Sequence, residues 1–227
     1  MAERITFDPV WKEIYAHGHT QRYPWDAVVS FIFRHTPQDR PRTQVRILEV
    51  GCGTASNLWF AAREGFSVTG VDASEVAIDQ AKQRFVEEEL AGQFIVADFT
   101  SLPMENNDFD LAIDRAAITN CGFSAGARAI SEVRRVLKPG GFFFFNPYAA
   151  GHSSQKTGRP GPDGVVLDIS GGTLVDAGQI CFYDEDDIRS NFADGWHLFS
   201  MRHMTLVDKA NDAGAVHSEW RVIAQKV

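Results

Sequence analysis

Glu49, Gly51 and Gly53 stand together in the stretch Leu48-Glu49-Val50-Gly51-Cys52-Gly53-Thr54-Ala55, and Asp72 follows 21 positions after Gly51. Glycine lets backbone approach a ligand closely or take a positive φ. Free N–H groups where such a turn opens a helix suit an anionic or polar group. A carboxylate at the end of the following strand can accept two hydrogen bonds from a ribose diol. Asp72 could instead cap the next helix, but Ser74 can supply that cap. Turn and acid together point to a nucleoside-containing cofactor.

Two cofactor classes share this layout. A dinucleotide fingerprint needs a third glycine where Ser56 stands, and an acidic residue before the turn sits badly beside a pyrophosphate. Glu49 suits a cationic amino group, such as that of a methionine moiety. An NAD-linked oxidoreductase is therefore the weaker alternative.

These residues need a frame. Apolar runs at 45–50, 66–71, 94–96, 109–113 and 142–145 read as strands. Helical spacing separates them at 58–63, 76–85 and 125–137, with Lys138, Pro139 and Gly140 as a stop. Strand-helix alternation with short turns predicts a doubly wound α/β, Rossmann-like sheet, mostly parallel. Ligands bind such sheets beyond the carboxyl ends of the strands, where Glu49 to Gly53, Asp72, Asp98 and Asp114 all fall.

Ahead of this core, residues 8–36 carry helical spacing. Trp11, Ile14 and Tyr15 share one face, Val28, Val29, Ile32 and Phe33 another, and Pro24 suits the first turn of the second helix. Behind it, residues 184–192 read as a helix. Residues 198–207 and 218–227 read as strands that pair antiparallel at the C-terminal sheet edge, joined by a turn at 211–214. The expected organisation is a single domain: a helical cap (1–43), a cofactor-binding core (44–148), a lid or insertion (149–182), and a C-terminal helix with strands (183–227).

Composition fits a globular chain: 227 residues, 44% hydrophobic and 23% charged. The formal net charge of −8 disfavours nucleic acid as a partner. Arg34, Arg40, Arg42 and Arg46, interrupted by Asp39, read as a solvated connection. Cys52, Cys121 and Cys181 lack metal or disulfide spacing, so reduced thiols and no metal site are expected. The first eight residues have no apolar signal region, and no segment reaches the length of a membrane span. A cytoplasmic protein with no membrane partner is the expectation.

The motifs in order resemble the class I S-adenosylmethionine-dependent methyltransferases. LEVGCGTA is similar to their first motif and VTGVDAS to their second. Val96-Ala97-Asp98-Phe99 is similar to the third, FDLAIDRAAIT to the fourth, and EVRRVLKPGGFFFFNP to the helix-turn-strand that follows. The likeness spans roughly residues 45–146. Ala55 stands where the family often has a third glycine, which implies a slightly shifted turn. The cap segment WKEIYAHGHTQRYPWDAVVSFIFR and HSEW near the end resemble a subset of small bacterial methyltransferases.

The resemblance implies S-adenosylmethionine as cofactor. It implies contacts from Glu49, Gly51, Cys52, Gly53, Asn57, Asp72, Ala73, Ser74, Ala97, Asp98, Phe99, Asp114 and Arg115, with Asp98 meeting the adenine amino group and Phe99 flanking the ring. It also implies closure over the cofactor by Arg22 and Tyr23. The acceptor is expected to be a small molecule or sugar-like, methylated on oxygen or nitrogen. A regulatory module that binds the cofactor without turnover is the other alternative.

A hydroxyl or ammonium acceptor needs a proton removed. Candidate bases are His152, Asp114 and the cap histidines His19 and His17, and Arg115 could hold an anionic acceptor. His35, His197, His203 and His217 read as structural or solvent-facing. Asn146-Pro147-Tyr148 reads as a strand end and not as a nucleic-acid methylation motif. Oligomeric state is left open.

Overall fold

The computed structural model describes residues 6–210 and 215–227. Its centre is a seven-stranded sheet ordered β3-β2-β1-β4-β5-β9-β8. The strands are β1 (Arg46–Val50), β2 (Ser67–Asp72), β3 (Gln93–Val96), β4 (Phe109–Arg115), β5 (Leu137–Asn146), β8 (Trp196–Val207) and β9 (Val216–Lys226). The first five pair in parallel, while β9 pairs antiparallel with both β5 and β8. The antiparallel strand therefore lies one in from the edge, and β8 forms the edge itself. The turn expected at 211–214 lies outside the described residues, as do residues 1–5.

Alternation along the strands splits the core into two layers. Ile47, Leu111, Ile113 and Phe144 face one side, with α2 (Asp26–His35), α3 (Ser56–Arg63) and α4 (Glu75–Glu87). Leu48, Val50, Ala112, Phe143 and Phe145 face the other, with α5 (Phe123–Val136) and α6 (Glu185–Asn191). In α2 the buried residues are Val28, Phe31 and Ile32, the i, i+3, i+4 stripe of an amphipathic helix.

Local signals set the boundaries. The Ser74 hydroxyl caps α4 by accepting from the Ala77 N–H at 3.4 Å. Asp184 and Asp187 form a reciprocal capping box on α6. Pro24 lies just outside α2, whose N-cap is Trp25. The Lys138-Pro139-Gly140 stop is part of β5, which begins at Leu137 where α5 ends.

The cap contributes α1 (Val10–Ala16) as well as α2. Residues 149–182 hold a two-stranded ribbon, β6 (Arg159–Pro160) with β7 (Val166–Leu167), and a small core of Ile169, Leu174, Ile180 and Phe182. No helix among the described residues is long and apolar enough to cross a membrane.

Topology decides what meets at the site. β1, β2, β4 and β5 all end on one edge of the sheet. β9 runs the opposite way and pairs Val222 with Phe145, so its first residues project past the end of β5 onto that same edge.

Candidate active site

Two adjoining cavities open at this edge. The smaller, about 100 Å³, has walls that include Thr6, Asp72, Ala73 and Phe99. The larger, about 780 Å³, has walls that include Glu49, Cys52, Gly53, Asn57 and the β9 residues His217, Glu219 and Arg221. Tyr15, Gly51 and Arg115 line both.

The glycine turn is built as its sequence requires. Gly51 has φ +61, and a Cβ there would collide with the Ala117 methyl. Gly53 has φ +53, and a Cβ there would meet the Tyr15 hydroxyl at 2.5 Å. Ala55, at φ 60 and ψ 36, keeps the left-handed conformation expected of the missing glycine and is the N-cap of α3.

Carboxylates converge below the turn. Asp72 accepts from the Gly53 N–H at 2.9 Å and the Ser74 N–H at 2.8 Å. Burial raises its pKa against those two bonds. Glu49 takes one bond, from Asn57 Nδ2 at 2.6 Å on Oε1, while its Oε2 is buried without a partner. Burial pushes the Glu49 carboxyl up to about 8, with Asp114 and Asp72 adding to the rise and Asn57 opposing it. A buried unpaired carboxylate oxygen at a cavity wall fits a cationic group arriving from the cavity. The residues present therefore fit a ligand with an ammonium at one end, a diol near Asp72 and a flat ring near Phe99. S-adenosylmethionine has that order of groups.

Asp98 bears on this from below. It accepts from Thr6 Oγ1 at 2.6 Å, and from the Thr100 N–H and hydroxyl at 2.7 Å each. Burial would raise its pKa, but these bonds hold it below the usual carboxylate range. Asp98 and Ala97 line neither cavity, and Ser74 serves the helix cap.

Several expectations are corrected. Arg22 and Tyr23 line neither cavity. Tyr23 is 65% exposed with its ring edge-on to Trp59 at 6.2 Å. Tyr15 and Trp11 of α1 stand at the cavities instead. Burial raises the Tyr15 hydroxyl pKa, and Asp72, Cys52 and Glu49 add to it.

His152 is fully buried and lines neither cavity. Its Nδ1 accepts from the Ser154 N–H at 3.0 Å, which leaves the neutral ring's proton on Nε2. Burial, reinforced by His217, lowers its pKa to about 4. Asp114 is also sealed below the cavities. It accepts from the Ala117 and Ile118 N–H groups at 3.0 and 2.8 Å, and burial raises it to about 6. Of the candidate bases, only His19 lines the larger cavity. His17 instead bonds the Glu13 carbonyl through Nδ1 at 2.8 Å.

His217 was expected to be structural or solvent-facing; it lines the larger cavity. Alternation along β9 turns His217, Glu219 and Arg221 to one side, and Ser218 and Trp220 into the protein. His217 Nδ1 lies 3.2 Å from His152 Nε2 and 3.1 Å from Thr173 Oγ1. With the His152 proton on Nε2, His217 Nδ1 is the acceptor and its own proton sits on Nε2. That nitrogen is 3.6 Å from Glu219 Oε2. Arg115 is also 3.6 Å from Oε2, while Arg221 Nε reaches Oε1 at 2.8 Å. Burial would raise the Glu219 carboxyl, but His217, Arg221 and Arg115 hold it down at about 2. The Arg115 guanidinium lies 3.9 Å over the Trp25 ring, which fixes it between the two cavities.

Comparison with known proteins agrees with this geometry. Residues 47–141 match the family model of a methyltransferase domain. A malonyl-[acyl-carrier protein] O-methyltransferase of Erwinia pyrifoliae is 33% identical over 132 residues, 54% of this chain and 47% of that protein. Squalene methyltransferase 1 of Botryococcus braunii is 34% identical over 56% of this chain and 32% of its own length. The chain thus spans about half or less of these curated relatives. A solved S-adenosylmethionine-dependent methyltransferase from Methanosarcina mazei superposes with a TM-score of 0.71 at 23% identity, over 87% of this chain and 97% of its own. A structure from work on conversion of a disulfide into a thioacetal in echinomycin biosynthesis gives a TM-score of 0.70 at 21% identity, over 98% and 91%. Residues 47–141 thus match a methyltransferase domain, and with its motifs in order on this sheet the chain is similar to the class I S-adenosylmethionine-dependent methyltransferases, whose fold it shares.

Proposed function

We propose that the protein methylates a small, hydroxyl-bearing, sugar-like acceptor seated against His217, Glu219 and Arg221. The observation that carries this is Glu219 Oε2, flanked by Arg115 and His217 with each contact at 3.6 Å, longer than a hydrogen bond. A hydroxyl in that gap donates to Oε2 and accepts from the His217 and Arg115 N–H groups, so all three partners are served. An acceptor amine would meet the charges of Arg115 and Arg221. A carboxylate, as the name of the Erwinia relative suggests for that protein, would face Glu219.

S-adenosylmethionine, when bound, supplies a methyl group on a sulfonium for in-line displacement. The protein's part is positioning and exclusion of water. Glu49 and Asn57 hold the ammonium, Asp72 the diol, and Ala73 and Phe99 flank the ring. Arg115, braced on Trp25, separates the two compartments. Glu219 orients the acceptor hydroxyl but, with a pKa of about 2, takes up no proton at neutral pH. His19, on the cap side of the same cavity, is assigned the proton of the reacting hydroxyl. Residues 173–177 form a wall of this cavity, and segment 149–182 acts as its lid. The buried free thiols Cys52, Cys121 and Cys181 suit a reducing cytoplasm.

The test is S-adenosylhomocysteine release from labelled cofactor across a panel of polyols, amines and carboxylic acids. Turnover of polyols, lost in Glu219→Gln with cofactor affinity retained, is the expected result. Turnover of amines or carboxylates alone, or activity indifferent to Glu219→Gln, contradicts it.

A further inference from the structure

The larger cavity is polar at its base, and at its mouth three large apolar side chains stand among the polar His19, Gln21, Asp26, Thr173 and Asp176. Trp25, Val175 and Leu206 line it, yet each is substantially exposed, at 39%, 45% and 64%. They come from three separate parts of the chain: Trp25 precedes α2, Val175 belongs to segment 149–182, and Leu206 lies near the end of β8. Inside this rim, Leu174 and Ile180 continue the apolar wall and are themselves buried. Exposed apolar side chains scattered singly need no explanation, whereas convergence around one polar-based cavity marks a ligand groove.

β-strand geometry produces the juxtaposition. Leu206 pairs with His217 across the β8–β9 ladder, so the apolar rim begins beside the polar stripe. A molecule engaging Glu219 through a hydroxyl and leaving through the mouth passes these side chains. Its outward part gains by covering them.

We propose that the acceptor is a small amphiphile, with a neutral hydroxylated head on Glu219, His217 and Arg115 and an apolar tail across Trp25, Val175 and Leu206. This rests on the hydroxyl-acceptor reading above and extends it to the rest of the molecule. The head is uncharged because Glu219 lies between Arg115 and Arg221 and fills the place an anion would take, while Asp26 and Asp176 on the same cavity wall offset the remaining positive charge. The tail is apolar because the mouth offers it Trp25, Val175 and Leu206 from three separate parts of the chain.

The test uses octyl β-glucoside below its micelle concentration, with methyl β-glucoside and octanoate alongside. All three are titrated calorimetrically with and without S-adenosylhomocysteine. Octyl glucoside should bind at least about tenfold more tightly than methyl glucoside, as burial of several methylenes implies, and more tightly than octanoate. The double substitution Val175→Ser with Leu206→Ser should remove most of that difference. Both positions are exposed, so the variant should fold, and its S-adenosylhomocysteine affinity should be unchanged. Equal binding of the two glucosides, binding of neither, preference for octanoate, or a difference that survives the double substitution overturns the proposal. Failure of S-adenosylhomocysteine to bind counts against the methyl-transfer reading alone, because the glucoside titrations stand without it.

Discussion

The hydroxyl of Thr6 donates to Oδ2 of Asp98 at 2.6 Å, and Asp98 is the residue the family resemblance assigns to the adenine amino group. Thr6 lines the smaller cavity and Asp98 does not, so Thr6 covers the carboxylate. Nearby, Asp8 accepts from the Gln179 N–H at 2.8 Å, stitching the start of the chain across the site. Thr6→Ala should therefore uncover Asp98 and tighten S-adenosylhomocysteine binding by roughly threefold to tenfold, the worth of one hydrogen bond. Calorimetric titration reads this directly. Weaker binding would mean that Thr6 works with the bound cofactor instead of against it.

Glu49 carries a trade between stability and binding. Its carboxyl titrates at about 8 in the folded protein against 4.5 as its ordinary value. Between those values the folded chain holds a proton that the unfolded chain has released, so stability falls as pH rises through the window. Glu49→Gln removes this loss. It should raise the stability of the cofactor-free protein at pH 7 by on the order of 1–3 kcal/mol, a gain of a few degrees in Tm. The same change should weaken S-adenosylhomocysteine binding about tenfold or more, since the ammonium loses its counter-charge. Wild-type binding should release a proton below pH 8 and strengthen as pH rises toward 8. A variant with lower Tm and full affinity would contradict the assignment.

Neighbouring turn positions should respond with opposite signs. Ala55 holds φ 60 with a side chain, which costs about 1 kcal/mol relative to glycine. Ala55→Gly should stabilise by up to about that much, less the added chain entropy. Gly53→Ala places a methyl 2.5 Å from the Tyr15 hydroxyl. It should displace α1 and cut cofactor affinity while leaving the sheet intact. Denaturant unfolding and titration on both variants check the pair, and equal effects would mean that the turn is not held as described.

The glycine turn and its carboxylates were legible because they are local. Glu49, Gly51, Gly53 and Asp72 each sit where a strand gives way to a turn, and hydrophobic periodicity reveals such places. The stripe proposed to hold the acceptor was not. His217, Glu219 and Arg221 follow strand alternation, but which face meets the cavity depends on β9 pairing antiparallel with β5, about eighty residues away in sequence. The same holds for Tyr15. Its helix face was anticipated, yet what that face covers is a matter of packing. His152 misled because a histidine beside a glycine-rich stretch looks accessible, whereas Tyr148, Phe182 and His217 surround its ring.

Asp72 accepts from the Gly53 and Ser74 N–H groups and lines the smaller cavity, so it bears most directly on the central claim. The decisive measurement is calorimetric titration of the wild-type protein and Asp72→Ala with S-adenosylhomocysteine, with NAD as control. The account expects saturable one-to-one binding of S-adenosylhomocysteine, none of NAD, and a loss of about 1–3 kcal/mol in the variant, with folding verified by circular dichroism. Binding of NAD instead, or an S-adenosylhomocysteine affinity indifferent to Asp72, would contradict it.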